Sequence, residues 1–150
     1  SATEGTLLAD GDVPGSNTPA PATTGWYKIT VNFINNTYTV TPYTGVAVPD
    51  NLYIVGDAVS NWDNPVPPAQ YFTKVSNAEF KITVPLSSTG SYLFLRENGQ
   101  WAKFGGTSGS GGTLLVEGAV PGSNTPAPSE AATYQIIVNF FTMQYSLIKQ

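Results

Sequence analysis

Apolar and polar residues alternate with period two along most of this chain. Phe80, Ile82 and Val84 alternate with Lys81 and Thr83, while Tyr134, Ile136, Val138 and Phe140 alternate with Gln135 and Asn139. Tyr27, Ile29, Val31 and Phe33 repeat the pattern early in the chain. Period two sends one set of side chains to a core and the other to solvent, as in a half-buried antiparallel strand. The pattern resumes through Met143, Tyr145 and Leu147, with a counterpart from Tyr38 to Thr41. Further strands are predicted over 51–56, 70–75 and 91–97. Asn35-Asn36 separates two alternating runs, and Asn tolerates the left-handed backbone that hairpin turns need. No window carries a sustained helical period. Short strands at close spacing, with Gly and Pro between them, predict an all-β chain folded as an antiparallel β-sandwich.

The strands recur because a segment recurs. Residues 5–43 and 112–150 align without a gap, Gly5 with Gly112 and Tyr43 with Gln150, an offset of 107 positions. Of these 39 positions 20 are identical, including an unbroken run from Val13 to Pro21 against Val120 to Pro128. The repeat period sets the domain size. Residues 44–150 are expected to form one complete module, and residues 1–43 the C-terminal part of a preceding one, so that the first copy of the tandem repeat is incomplete. A short interdomain linker is expected near 41–50. Residues 105–112, with five glycines in eight positions, read as a flexible loop. Residues 13–21 and 120–128 carry three prolines each, and read as fixed, extended crossovers because Pro has no place in a central strand.

Composition narrows the chemistry. The chain is 41% apolar, enough for a core, but only 11% charged, with a net charge of −4 and six scattered basic residues. Such a chain offers no basic stripe to a phosphate backbone, which excludes nucleic acid as a partner. No apolar run reaches the ~20 residues of a membrane-spanning helix. The first residue is Ser1 rather than Met, and a signal or lipid anchor is expected upstream. With no Cys and no His, thiol catalysis, a Ser-His-Asp triad and Cys or imidazole metal ligands are excluded. Ten acidic residues leave a carboxylate pair formally open, and Asp10 and Asp12 form the one tight pair. Their counterparts are Glu117 and Ala119, so the repeat does not preserve the pair, and it reads as a turn rather than a calcium or catalytic site. No enzyme activity, metal or cofactor is expected.

Leu52-Tyr-Ile-Val-Gly-Asp-Ala58, followed by Asn61-Trp62-Asp63, resembles the opening of the starch-binding modules in SusE/SusF-type outer-membrane lipoproteins of Bacteroidetes. Phe72-Thr-Lys-Val75, Tyr92-Leu-Phe-Leu95, Gly99-Gln-Trp101, Gly105-Gly106, Gly112-Thr-Leu-Leu115 and Ala132 to Phe140 then follow in that family's order. The resemblance spans the complete unit. It implies an immunoglobulin-like sandwich in tandem modules at the cell surface, anchored to the outer membrane. It also implies non-catalytic capture of starch or a related glucan beside other outer-membrane polysaccharide-uptake proteins.

Sugar rings present C–H faces that stack on aromatic side chains and hydroxyls that need polar partners. Trp62 lies in Ser60-Asn-Trp-Asp-Asn-Pro65, and Trp101 follows Glu97-Asn-Gly-Gln100; both segments read as exposed loops. These two rings are the expected platforms, with Arg96, Asn98 and Lys103 as hydrogen-bonding partners. The alternative for each Trp is a plug at the end of the sandwich. Asn61, Asp63 and Asn64 could bind hydroxyls or form the turn before Pro65. Trp26 aligns with Thr133, so the fold does not require a Trp there, and it is given no role. Tyr53, Phe80, Phe94, Phe140 and Tyr145 follow strand periodicity and are expected in the core or in cross-strand pairs.

A structural role competes with binding. Residues 1–43 hold about three strands without the front of their module, which leaves an apolar face and unpaired edges that invite another chain. On that reading the protein is a self-assembling surface or filament protein, a homo-oligomer through residues 1–43.

Overall fold

In the computed structural model, residues 3–8, 18–43, 45–116 and 124–150 are described. The Asp10–Asp12 pair lies outside them, as do residues 13–17 and 120–123 of the two proline-rich segments. The chain divides into two compact units, Ser1–Thr44 and Gly45–Gln150. Both are antiparallel β, and among the described residues the one helical turn is a 3-10 turn at Pro68–Gln70.

The first unit is a three-stranded sheet of β1 (Glu4–Thr6), β2 (Tyr27–Asn32) and β3 (Thr37–Pro42), ordered β1-β3-β2. A four-residue turn joins β2 to β3. The Asn32 side-chain carbonyl accepts the N–H groups of Ile34 and Asn35, each at 3.0 Å, and Asn36 takes a left-handed φ of 51°. Asn36 thus takes the left-handed conformation expected within the Asn35-Asn36 pair, while Asn32 supplies the side-chain acceptor.

The second unit contains β4 (Tyr53–Val55), β5 (Thr73–Lys74), β6 (Glu79–Leu86), β7 (Ser91–Leu95), β8 (Lys103–Gly105), β9 (Gly111–Thr113), β10 (Leu115–Val116), β11 (Thr125–Pro126), β12 (Ala132–Asn139) and β13 (Gln144–Lys149). One five-stranded sheet runs β5-β6-β12-β13-β9; the other runs β10-β8-β7-β11, with β4 also paired to β7. The inward residues of β6 and β12, among them Phe80, Ile82, Ile136 and Val138, share one core with Ile54, Tyr92, Phe94 and Phe104 of the facing sheet. Phe140 closes that core between Phe80 and Phe104, with ring centroids at 5.6 and 5.0 Å. The expected alternation is therefore the two-faced geometry of a sandwich. Tyr92 is fully buried, and among the described residues its hydroxyl has no hydrogen-bond partner.

Three local expectations change. Residues 105–112 are not a free loop, since Gly105, Gly111 and Gly112 lie in strands. A Cβ on Gly106 would enter the Tyr145 ring, and one on Gly109 would meet the Ala127 carbonyl. Close approach, not flexibility, is what these glycines provide. Thr125–Pro126 pairs with Tyr92 and Ser91, a position that spares Pro126 a central strand. Finally, Val46 and Val48 pack on the second unit's core and Lys74 Nζ donates to the Pro49 carbonyl at 3.1 Å. The expected linker is shorter for it.

Candidate functional site

Strand β7 breaks the alternation: Tyr92, Leu93, Phe94 and Leu95 are all buried. Tyr92 and Phe94 face the main core, whereas Leu93 and Leu95 join Val55 and Val66 in a second cluster on the outer face of the sheet. The excursion between β4 and β5 folds back over that face. Gln70, itself buried, fastens it by donating to the Ile54 carbonyl at 2.9 Å. A carbonyl and an amide that would otherwise be buried unpaired are thereby satisfied.

This cover decides the place of Trp62, which is half-buried and packed on the outer cluster with Tyr53. Of the two readings of Trp62, its packing favours the plug: Leu93 and Leu95 need apolar cover and Trp62 helps to provide it. Its neighbours are turn formers. Asn61 Nδ2 donates to the Asp63 carboxylate at 2.6 Å, and Asn61 Oδ1 accepts the Asp63 N–H at 2.9 Å. Asn64 bridges to the β7–β8 hairpin, accepting the Gly99 N–H at 2.7 Å and donating to the Gln100 carbonyl at 3.0 Å.

Asn98 likewise serves the fold. Its carbonyl accepts the Val66 N–H at 2.8 Å, and its amide donates to the Val66 carbonyl at 3.2 Å and to Tyr71 Oη at 2.8 Å. With its polar atoms so engaged, Asn98 positions other groups. Trp101, three residues on, is 49% exposed. Lys103 pairs with Leu95 and so lies on the same outer face, half-buried. Arg96 is exposed at the hairpin base, its backbone N–H bonded to the Ala102 carbonyl.

Tyr71 was not singled out from the sequence, where Gln70-Tyr71-Phe72 reads as the start of a strand. It is 42% exposed, bridges backbone to backbone with Tyr53, and meets the Tyr53 ring edge-on at 4.8 Å. Tyr71, Tyr53, Leu95 and Lys103 therefore form one cross-strand row on the outer face. On its other side Tyr71 lines an open depression of about 340 Å³ with Thr73, Lys81 and Thr83. Lys81 is paired there with Glu79 at 3.1 Å. The result is an aromatic-and-hydroxyl surface with three cations, Lys81, Arg96 and Lys103. It can stack and hydrogen-bond a neutral polar ligand.

No family model matches this chain, and neither a curated protein nor a solved structure does.

Proposed function

We propose that Gly45–Gln150 is a non-catalytic glycan-binding module of immunoglobulin-like type that takes starch or a related glucan on this surface. The observation that carries the reading is Tyr71: a ring open to solvent, held by Tyr53 and Asn98, at the rim of a depression lined by Thr73, Lys81 and Thr83. Fixed, exposed aromatic faces beside hydroxyl and ammonium groups are what a sugar ring requires. Trp101 is the second platform, Arg96 and Lys103 donate to hydroxyls, and Asn98 and Trp62 support from beneath. The immunoglobulin-like assignment draws support from Tyr134, whose hydroxyl donates to the Glu130 carbonyl at 2.9 Å, four residues upstream, as in a tyrosine corner. The family resemblance adds the setting: a lipid-anchored protein at the outer-membrane surface, among polysaccharide-uptake partners.

Native-gel affinity electrophoresis in amylopectin, pullulan, dextran or xylan tests the reading. Retardation by a glucan is expected, with retardation lost in Trp101→Ala and Tyr71→Ala while the fold is unchanged by circular dichroism. Trp62→Ala is expected to lower stability first, by about 1–3 kcal/mol for a partly buried ring. Free migration in every polysaccharide would overturn the proposal.

A second reading, inter-chain strand pairing through residues 1–43, is favoured by one observation: Ile29 is 65% and Phe33 81% exposed.

A further inference from the structure

This inference rests on the strand-pairing reading and names the partner. The first unit reproduces part of the second, pairing for pairing. Tyr27↔Pro42 through Asn32↔Thr37 in β2–β3 are Tyr134↔Lys149 through Asn139↔Gln144 in β12–β13, shifted by 107. Glu4↔Thr39 through Thr6↔Thr37 in β1–β3 are likewise Gly111↔Ser146 through Thr113↔Gln144 in β9–β13. In the second unit, however, β12 has a further neighbour, β6, and Ile136 and Val138 of β12 and Phe140 just after it are fully buried. Among the described residues β2 pairs with β3 alone. The counterparts Ile29, Val31 and Phe33 are exposed.

The molecule thus carries its own template for what fits the open face. We infer that β2 is an acceptor edge for an antiparallel strand of the β6 type, supplied by an additional half-module equivalent to residues 45–111. The template fixes the register. In β6 Phe80 opposes Val138, Ile82 opposes Ile136 and Val84 opposes Tyr134. The incoming strand therefore sets its large apolar residues against Val31, Ile29 and Tyr27, with polar residues between them on the solvent side. The donor is not β6 of an intact second copy. That strand is already held between β5 and β12, with Phe80 fully buried, and its release would dismantle the unit it belongs to. Main-chain pairing supplies the affinity of such strand addition, and the alternate side chains supply its specificity.

Two additions to the full chain test the inference, read by hydrogen–deuterium exchange resolved to β2. The first is a synthetic peptide with the sequence of Ala78–Ser87, added in trans. The second is a duplicate of residues 45–111 joined ahead of Gly5, as Gly111 precedes Gly112. Either addition is expected to slow β2 exchange at least tenfold. The effect is lost in Ile29→Asp, or when the donor's Phe, Ile and Val at its β6 positions are replaced by Ser, with β12 exchange unchanged throughout. If the joined half-module leaves β2 exchange unaltered, the inference is overturned. Light scattering separates the two failures. A dimer in which β2 is already protected overturns the half-module as partner but keeps the strand-pairing reading, whereas a monomer with no protection under either addition removes both.

Discussion

Strands β1, β2 and β3 repeat β9, β12 and β13, yet Ile29 and Val31 along β2 are exposed where Ile136 and Val138 along β12 are buried. Their registers agree at every pairing. Their turns agree too, since Asn139 accepts the N–H groups of Phe141 and Thr142 at 3.0 and 3.1 Å, as Asn32 accepts those of Ile34 and Asn35. Met143 adopts the same left-handed φ of 51° as Asn36. Tyr27 donates to the Thr23 carbonyl as Tyr134 does to that of Glu130. What differs is whatever the rest of a module supplies. Phe140 is wedged between Phe80 and Phe104 while Phe33 stands in solvent. Tyr145 reaches over Gly106 and donates to the Ser108 carbonyl, whereas the Tyr38 ring lies over its cross-strand neighbour Gly5. Hairpin geometry is thus a local property of some forty residues, and burial is a property of the module.

The largest expected effect separates the two phenylalanines. Phe140→Ala should cost about 3–5 kcal/mol in urea denaturation, and Phe33→Ala should stay within about 0.5 kcal/mol. Equal costs would break the comparison. An alkaline titration sharpens it. Burial raises the Tyr92 hydroxyl far above its usual 10.0, aided by Tyr145, and burial raises Tyr145 as well, against the opposing Ser108 hydrogen bond. The folded unit keeps these protons where the unfolded chain releases them. The contribution of these two tyrosines is therefore flat below pH 10, and stability falls above it, by up to about 1.4 kcal/mol per pH unit for each. Tyr92→Phe removes a buried hydroxyl without a described partner, so a gain of about 1–2 kcal/mol at neutral pH is expected, with a shallower alkaline slope. Denaturation midpoints at pH 7 and 11 would measure both. Smallest is the turn itself: Asn139→Ala should lose about 0.5–1.5 kcal/mol, and Asn32→Ala should accelerate exchange of the Ile34 and Asn35 amides just as Asn139→Ala accelerates those of Phe141 and Thr142. Acceleration in only one hairpin would show that the turns are not locally encoded.

These contrasts mark what could be read from the sequence. Phe80–Ile82–Val84 and Tyr134–Ile136–Val138 were legible because one side of each strand is wet, and period two records that. Leu93 and Leu95 were not, because both faces of β7 are dry and no alternation survives. The same long-range cover hides the difference between Trp62 and Trp101. Each sits among Asn, Asp, Gln and Gly, and only the backward fold of the 56–72 excursion onto Leu93 and Leu95 makes one a lid and leaves the other open. Asn98 looked like a free amide because its partner Val66 lies thirty-two positions away. Gly105–Gly112 looked flexible because composition does not distinguish a glycine free to move from one that nothing larger could replace.

By holding Gly99 and Gln100, Asn64 ties the Trp62 excursion to the Trp101 hairpin, and each loop restrains the other. On the proposed glycan-binding reading, a sugar reaching Trp101 would meet a hairpin whose conformational entropy is already spent, so that little of the contact energy would go into ordering the loop.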